Sequence, residues 1–434
     1  MKPARQRRAV RRGAAGAQGE GMQRRPLRGI RVLDLTNVLA GPYCSYQLML
    51  FGAEVVKVEV PGSGDLARNL GPDSELNRAG LGASFLAQNA GKKSVELNLK
   101  DAAQRALFED LVRGADVLLE NYRAGVLNRL GFGWDRLREL NGRLVYCAIS
   151  GFGQSGPMSQ APAYDQIIQG LSGMMSVTGT EDTAPLRVGF PVSDTVGGLM
   201  AAVSIASALV GRERSGEGSF LDLSMLEASI SAMGWVVSNY VISGTPPEPM
   251  GRENATAAPS GTFFASDGPL NIAANRQEQF VTLCGLVGRP ELMTDPRFAD
   301  REDRKRHRAE LNEELNRALG LRSAQEWETM LSAAGVPAAR ILTVPQALQS
   351  EQLAHRGFFT DIGFPGDPAR TLRTSGNGVL VDGEPLRPGT APPRLGEHND
   401  EVADLVRRWR PATGIPSPTR PIPDQVSHGP IERD

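Results

Sequence analysis

The chain has little of the two residue types that most often hold metals, with three cysteines and four histidines in 434 residues. The cysteines form no Cys-x-x-Cys pair, and no two histidines have the spacing of metal ligands. We therefore predict no metal site and no disulfide framework. So few cysteines also favour a reducing compartment, and we expect the protein to be cytoplasmic.

Long apolar runs and an excess of one charge are absent as well. No run of 18 apolar residues occurs, so we expect no membrane-spanning segment. The net charge is −1, with 22% charged and 40% apolar residues. This composition is typical of a soluble globular protein, and it gives no reason to expect binding to nucleic acid or to a membrane.

The two ends of the chain differ from the rest. Residues 1–25 carry eight basic residues against one acid, Glu20, and contain neither an apolar segment nor a serine. The first absence excludes a secretory signal and the second disfavours a transit peptide. We therefore predict a disordered tail, with Met22 as an alternative start. The proline-rich residues 411–434 are also predicted to be disordered.

Between residues 26 and 225, strand-like runs alternate with helix-like runs. Strands are predicted over residues 30–35, 54–60, 94–99, 115–119 and 144–150. Helices are predicted between them. This alternation predicts a large α/β domain with a doubly wound, parallel sheet.

After residue 225 the pattern changes. A stretch rich in proline, glycine and alanine predicts a linker over 226–260. A hairpin over 261–274 and the helices that follow it predict a small α+β domain over 261–345. A further strand is predicted over 376–382, and a last helix over 399–408.

Residues 151–156, GFGQSG, match the glycine spacing of a dinucleotide-binding loop. Such a site requires a helix that opens within the motif. Pro157 and Pro162 follow instead, with no apolar period between them. We therefore interpret this segment as a glycine-rich loop rather than as a nicotinamide or flavin site.

A single carboxylate, Asp194, lies among small and apolar residues in the segment 188–201. Gly197 and Gly198 follow it and would allow a ligand to approach closely. Two interpretations are open at this point. Either Ser193 and Asp194 cap the helix that follows, or Asp194 faces a ligand.

Motifs spread over nearly the whole chain carry a resemblance to a known family. They are RVLDLTNVLAGPY (31–43), KVEVPGSGD (57–65), ENYRAG (120–125), SGFGQSGP (150–157), SDTVGG (193–198) and LGEHNDEV (395–402). In their order and spacing, residues 26–408 resemble the class III coenzyme A transferases, the superfamily of carnitine CoA-transferase and bile-acid-inducible protein F. The resemblance implies a Rossmann-like large domain completed by residues 346–410, a smaller α+β domain and an interlocked homodimer. It also implies coenzyme A or an acyl-CoA and a small carboxylic acid as substrates, with no tightly bound cofactor.

The resemblance assigns roles to individual residues. It implies that the catalytic aspartate is Asp194. It implies coenzyme A contacts at Asn37, Val38, Leu39, Ala40, Leu97, Asn121 and Arg129, and at Tyr164 near the thioester end. Two departures, Val60 in place of an arginine and Pro162 in place of a lysine, alter the expected nucleotide contacts.

Four of these neighbouring positions also have a structural alternative. Arg129 would lie on a solvated helix face, and Asn121 would be a turn residue after a strand. Tyr164 would be a core aromatic residue. Asp165 would cap the helix that follows it, which we favour over a catalytic role.

Acyl-CoA racemases of the same superfamily carry a catalytic histidine immediately before an aspartate. In this chain Tyr164 stands there, before Asp165, and no histidine precedes His307. A two-base racemase needs such an acid–base group, so a transferase is favoured over a racemase. A non-catalytic acyl-CoA-binding protein is the third hypothesis.

Moving coenzyme A between two acids requires a covalent carrier. Asp194 would attack the donor thioester to form a mixed anhydride, and the released thiolate would then form an aspartyl-CoA thioester. Both intermediates hydrolyse, so the apolar Phe190, Val192 and Val196 would help to exclude water. Backbone N–H groups of residues 197–198 would hold the developing oxyanion.

Overall fold

The computed structural model describes residues 25–410. The predicted tails, residues 1–25 and 411–434, lie outside the described residues except for Arg25. The described part of the chain forms two compact units. The first consists of residues 25–162, 194–225 and 359–410. The second consists of residues 163–193 and 226–358.

The first unit is built around a six-stranded sheet in which all neighbouring strands are parallel. The strands are β1 (Arg31–Asp34), β2 (Glu54–Glu59), β3 (Lys93–Glu96), β4 (Val117–Glu120), β5 (Val145–Ser150) and β6 (Ser219–Ser224). Their spatial order is β3-β2-β1-β4-β5-β6, so the order reverses between β1 and β4. The predicted parallel α/β sheet is confirmed. In open sheets of this kind, ligands bind at the reversal, outside the carboxyl ends of the strands.

Helices connect the strands and make up much of the second unit. In chain order they are α1 (Ala40–Leu50), α2 (Ser74–Arg78), α3 (Ala83–Asn89), α4 (Ala102–Gly114), α5 (Val126–Arg129), α6 (Trp134–Leu140), α7 (Asp165–Leu171), α8 (Val192–Ser215), α9 (Met225–Ala232), α10 (Trp235–Ser243), α11 (Gln277–Leu286), α12 (Arg301–Arg306), α13 (Arg308–Leu319), α14 (Ala324–Ala333), α15 (Val344–Ala347), α16 (Glu351–His355) and α17 (Val402–Trp409). Parallel strands need crossover connections, and α1 joins β1 to β2 while α4 joins β3 to β4.

The core of the first unit includes both strand and helix residues. Leu33 and Leu118 from the central strands pack in one apolar cluster with Phe108 of α4. Trp409 of α17 is 1% exposed and belongs to the same cluster. The end of the described chain therefore returns to the first unit and helps to bury its sheet.

The second unit has a three-stranded antiparallel sheet of its own. Its strands are β7 (Ser260–Ala265), β8 (Gly268–Ala273) and β9 (Ala338–Arg340). Phe263 of this sheet packs with Phe280, Leu311 and Trp327 from three helices in a separate apolar core. The hairpin expected over 261–274 is present as β7 and β8.

The division into units differs from the predicted domain boundaries. Residues 163–193 fall in the second unit, whereas the sequence pattern had placed them in the large domain. The predicted linker 226–260 contains most of α9 and all of α10. Its prolines begin only at Pro246, and the apolar residues before them form helices.

The C-terminal strands also differ from the prediction. Only β12 (Leu380–Val381) forms within the strand expected over 376–382, and it pairs with β13 (Glu384–Pro385). An antiparallel hairpin of β10 (Phe359–Phe364) and β11 (Asp367–Ser375) precedes them. The polar, largely exposed residues of β11 lack the apolar alternation by which strands are recognised.

Helix α8 has the length and composition of a membrane-spanning helix, the only such helix in residues 25–410. Small polar residues interrupt its apolar run, which is why the sequence predicts a helix here but no membrane-spanning segment. Only 28% of its most apolar segment is buried within the chain. One helix of this kind is weak evidence for a membrane, since core helices of other proteins share these properties.

Candidate active site

The loop between β1 and α1 lies where the order of the sheet reverses. The Asn121 side chain, which directly follows β4, accepts a hydrogen bond from the Asn37 N–H at 2.8 Å. The same amide donates to the Asn37 carbonyl oxygen at 2.8 Å. Because one side chain binds both backbone groups of Asn37, it holds the two loops together. Asn121 directly follows β4, as the structural alternative requires, and its coenzyme A contact stays a prediction.

Val38 has an unusual backbone conformation, with a φ of +67°. This left-handed region is unfavourable for a β-branched residue. Residues held there cost about 1–3 kcal/mol each and tend to lie at functional sites. The Val38 N–H donates to Asp65 Oδ1 at 2.9 Å. The segment predicted to contact coenzyme A is thus kept in a strained conformation by a side chain from another loop.

Helix α1 begins directly after this loop, with Leu39 as the flanking residue. No side chain caps its first N–H groups, and its first turn contains no acidic residue. Within the helix, nothing neutralises the positive end of the helix dipole. A helix start of this kind favours an anion such as a phosphate group.

Asp194 lies in the first turn of α8 and is half-buried. The helix begins at Val192, so Asp194 is its third residue and not its N-cap. The capping interpretation is therefore wrong. An acidic residue in the first turn still interacts favourably with the helix dipole.

Gly198 brings α8 against the start of α1. A Cβ atom on Gly198 would lie 2.5 Å from the Ala40 carbonyl oxygen, whereas one on Gly197 would meet the Met225 Cγ atom at 3.1 Å. Both glycines lie inside a helix, where their N–H groups are directed at the preceding turn. The predicted oxyanion role for these N–H groups is therefore wrong. Gly198 instead lets the helix that carries Asp194 contact the helix that follows the β1 loop.

We expect Gly198→Ala to lower the free energy of unfolding by about 1–3 kcal/mol, because the new methyl group overlaps a backbone oxygen. Gly197→Ala is the matched control, since it meets only a flexible side chain. Alanine favours the helix by about 1 kcal/mol over glycine, so this control should be neutral or stabilising. Urea unfolding of both variants checks the prediction, and equal stabilities would contradict the assigned role of Gly198.

Comparisons with known proteins identify the family of this chain. A family model described as CoA-transferase family III matches residues 27–399. The chain belongs to this family. The resemblance predicted from the sequence motifs is confirmed, and the protein is a CoA-transferase.

Similar relatives include several CoA-transferases. The chain is 40% identical over 373 residues to acetyl-CoA:oxalate CoA-transferase of Acetobacter aceti, covering 86% of this chain and 93% of that protein. It is 32% identical to succinyl-CoA:glutarate CoA-transferase of Mus musculus, covering 92% of each. Among solved structures, a CaiB/BaiF family protein from Brucella suis is 34% identical with a TM-score of 0.77. That match covers 88% of this chain and 99% of the other.

Two further predicted contacts of this CoA-transferase lie in the first unit. Arg129 is the last residue of α5 and is exposed, as either of its interpretations requires. Leu97, directly after β3, is 5% exposed and packs in the core. Its backbone N–H donates to the Glu59 carbonyl oxygen at 2.9 Å. The coenzyme A contacts assigned to both residues stay predictions.

Tyr164 and Asp165 belong to the second unit. Tyr164 is 70% exposed, so the alternative that it is a core aromatic residue is wrong. Asp165 is buried and is the first residue of α7. Its carboxylate accepts hydrogen bonds from the Ser193 N–H at 2.9 Å and from the Gln169 amide at 2.7 Å. It therefore binds the residue that precedes Asp194. The N-cap of α7 is Tyr164, so the prediction that Asp165 caps this helix is wrong.

The sequence interpretation missed a network of buried charges below the β1 loop. Lys92 Nζ lies 3.0 Å from Asp34 Oδ2, and Lys57 Nζ lies 2.9 Å from Asp65 Oδ2, with all four side chains fully buried. Burial by itself would lower the pKa of Lys57, but the carboxylates of Asp34 and Asp65 outweigh this effect and raise it. At Lys92 burial dominates and lowers the pKa to about 8. The charged residues within the otherwise apolar strand EVVKVE could have indicated this buried network from the sequence.

A second buried acid, Glu120, ends β4 directly before Asn121. It is 2% exposed. Its carboxyl oxygens accept hydrogen bonds from the Tyr146 hydroxyl at 3.0 Å and from the Tyr122 N–H at 2.5 Å. Burial outweighs these bonds and raises the pKa of Glu120 to about 7.

In the described residues, no group of three or more His, Cys, Asp or Glu side chains could hold a metal ion. All three cysteines are buried and free.

Proposed function

We propose that this enzyme moves coenzyme A from an acyl-CoA donor to a carboxylic acid through covalent intermediates on Asp194. The observation that carries the proposal is the close packing at Gly198. It joins the helix that bears Asp194 to the start of α1, directly after the loop predicted to bind coenzyme A. Asn121 binds that same loop from the other side of the sheet reversal. The helix that bears Asp194 and the loop over residues 37–40 are therefore parts of one packed unit.

The reaction balances without an added proton or electron. The carboxylate of Asp194 attacks the thioester carbonyl, the C–S bond breaks, and a mixed anhydride and the thiolate of coenzyme A form. The thiolate attacks the aspartyl carbonyl and releases the donor acid, which leaves an aspartyl-CoA thioester. The acceptor carboxylate then attacks this thioester, the C–S bond breaks, and a second anhydride and the free thiolate of coenzyme A form. Attack of the thiolate on its acyl carbon gives the new acyl-CoA and restores Asp194.

The acids are inferred from the relatives. Their names give acetyl-CoA or succinyl-CoA as donors, and oxalate, glutarate or mesaconate as acceptors. We infer that this chain uses a small acyl-CoA donor and a small dicarboxylic acid. The start of α1, which has no acidic residue in its first turn, suits the phosphates of the donor.

We also propose that the first unit is Rossmann-like and that the protein forms the interlocked homodimer of its family. The strand order of the parallel sheet is that of dinucleotide-binding folds. Helix α10 is apolar but has no buried residue, and its Trp235, Val241 and Ile242 are 78%, 75% and 85% exposed. Such a patch favours a protein interface. Light scattering should give a mass of twice 46.5 kDa.

Product analysis tests the proposed reaction. Acetyl-CoA and succinyl-CoA are incubated with a panel of dicarboxylic acids, and new acyl-CoA species are detected by mass spectrometry. We expect transfer that requires both substrates. Deuterium exchange at the α-carbon of a 2-methylacyl-CoA without any acceptor would instead support a racemase. Binding of acyl-CoA without turnover for any pair would support the non-catalytic alternative.

A further inference from the structure

Side chains bind most of the backbone N–H and C=O groups of residues 36–38, and three of these side chains, Lys57, Asp65 and Asn121, come from other parts of the chain. The Thr36 N–H donates to Asp34 Oδ1 at 2.9 Å, and the Thr36 carbonyl accepts from Lys57 Nζ at 2.6 Å. Both backbone groups of Asn37 bind Asn121, as described above. A segment whose backbone groups are bound in this way has little freedom to change conformation.

Lys57 and Asp65 contact this segment on both sides of Asn37. Lys57 binds the preceding carbonyl, while Asp65 Oδ1 accepts the N–H of Val38 at 2.9 Å. The two side chains are joined to each other through Asp65 Oδ2, 2.9 Å from Lys57 Nζ. Neither is exposed to solvent, so the pair is not weakened by competition with water.

Asp65 is itself fixed by its neighbours. Its backbone N–H donates to Glu59 Oε2 at 2.9 Å, and Glu59 forms an ion pair with Arg68 at 2.6 Å. The Ala67 N–H shares Asp65 Oδ1 with Val38, also at 2.9 Å. The loop that carries Asp65 can therefore resist the tendency of Val38 to leave the left-handed region.

From these contacts we infer that Asp65, supported by Lys57, is a positioning residue that holds the β1 loop in the conformation that binds coenzyme A. The inference rests on the proposed function, because it assumes that this loop contacts the nucleotide. Without Asp65, the strained Val38 relaxes and only a fraction of the molecules keeps the binding conformation. The apparent affinity falls in proportion to that fraction.

The test measures coenzyme A binding by calorimetry together with kcat and KM for the acyl-CoA donor. We expect Asp65→Ala to raise the dissociation constant and KM about tenfold or more, with a smaller change in kcat. Asp73→Ala is the matched control. Asp73 also accepts backbone N–H groups at the start of a short helix, but it is exposed and its bonds involve Glu75 and Leu76. It should leave coenzyme A affinity unchanged.

A pair of conservative variants separates positioning from stability. Asp65→Asn keeps an oxygen for the Val38 N–H but removes the carboxylate nearest to the buried Lys57, which is left with Asp34 at 4.0 Å. The double variant Lys57→Met with Asp65→Asn removes that charge while keeping the oxygen, and Asp34 retains Lys92 as its partner. We expect the single variant to bind coenzyme A weakly. The double variant should bind more tightly than the single variant, although it also loses the bond from Lys57 to the Thr36 carbonyl. If Asp65→Ala does not fold, these two variants test the positioning role of Asp65.

The outcomes distinguish this inference from the proposed function. Wild-type affinity in folded Asp65→Ala, or no recovery in the folded double variant, would overturn the positioning role alone. Failure of the wild-type enzyme to bind coenzyme A would overturn the proposed function and this inference with it.

Discussion

Asp194→Ala is expected to lower the rate of coenzyme A transfer by at least about 10³-fold, the loss typical of a removed nucleophile. The remaining groups bind substrate but offer no carboxylate to carry the acyl group and then coenzyme A. Binding of coenzyme A should be nearly unchanged, because the variant keeps the start of α1 and the two hydrogen bonds between Asn37 and Asn121, which we call the Asn37–Asn121 clamp. Steady-state transfer assays and calorimetry on the same preparation measure the two effects.

Chemical trapping gives this prediction an independent readout. In the presence of an acyl-CoA, hydroxylamine should label wild-type enzyme on Asp194 and should not label the alanine variant. Asp182→Ala, in an exposed turn, is the control and should keep both activity and trapping. Transfer at the wild-type rate in folded Asp194→Ala would exclude the covalent mechanism.

The two predicted parts of the site come together through backbone packing. Gly198 allows α8 to approach the Ala40 carbonyl, so the position of Asp194 depends on the same helix start that follows the loop predicted to bind coenzyme A. The strand order reverses between β1 and β4, and the loops after these two strands lie on either side of the reversal. Asn121, directly after β4, joins them by its hydrogen bonds to Asn37. A shift of α1 would thus alter both the loop and the helix that bears Asp194, the proposed nucleophile.

The sequence was sufficient to predict five of the six strands, because buried parallel strands appear as short apolar runs with helices between them. It did not predict β6, whose first residues are partly exposed. It was also sufficient to place Asn37 and Ala40 directly after the first strand, and the family resemblance then made them candidate contacts. The position of Asp194 near the start of α8 followed from the apolar run beyond it. Its location inside the first turn did not, because helix starts are uncertain by one or two residues.

The contacts that shape the site could not be predicted, because they join distant parts of the chain. Local preference would place Val38 in an extended conformation, yet Asp65, 27 residues away, holds its N–H. The Asn37–Asn121 clamp spans 84 residues. Gly197 and Gly198 were interpreted as a place for ligand approach, whereas the neighbour that approaches Gly198 is α1.

Glu120 affects the pH dependence of stability in the opposite direction to most carboxylates, because folding raises its pKa. Its pKa is raised from 4.5 to about 7 by burial. Between these values the folded state binds a proton that the unfolded state has lost, so stability falls as pH rises. The contribution of Glu120 to the free energy of unfolding is complete below about pH 4.5 and is lost as the pH rises through 7. A shift of about 2.5 pKa units corresponds to about 3 kcal/mol.

We therefore expect Glu120→Gln to remove this part of the pH dependence. The difference in free energy of unfolding between wild type and variant should change by about 3 kcal/mol from pH 4.5 to 8, in favour of the variant at high pH. The neutral amide fits the site, because the Tyr146 hydroxyl can either donate or accept. Glu217→Gln, at an exposed position of the first unit, is the control and should follow the wild-type profile. Parallel profiles for Glu120→Gln and wild type between pH 4.5 and 8 would show that Glu120 titrates as an ordinary carboxylate, despite its burial beside the clamp residue Asn121.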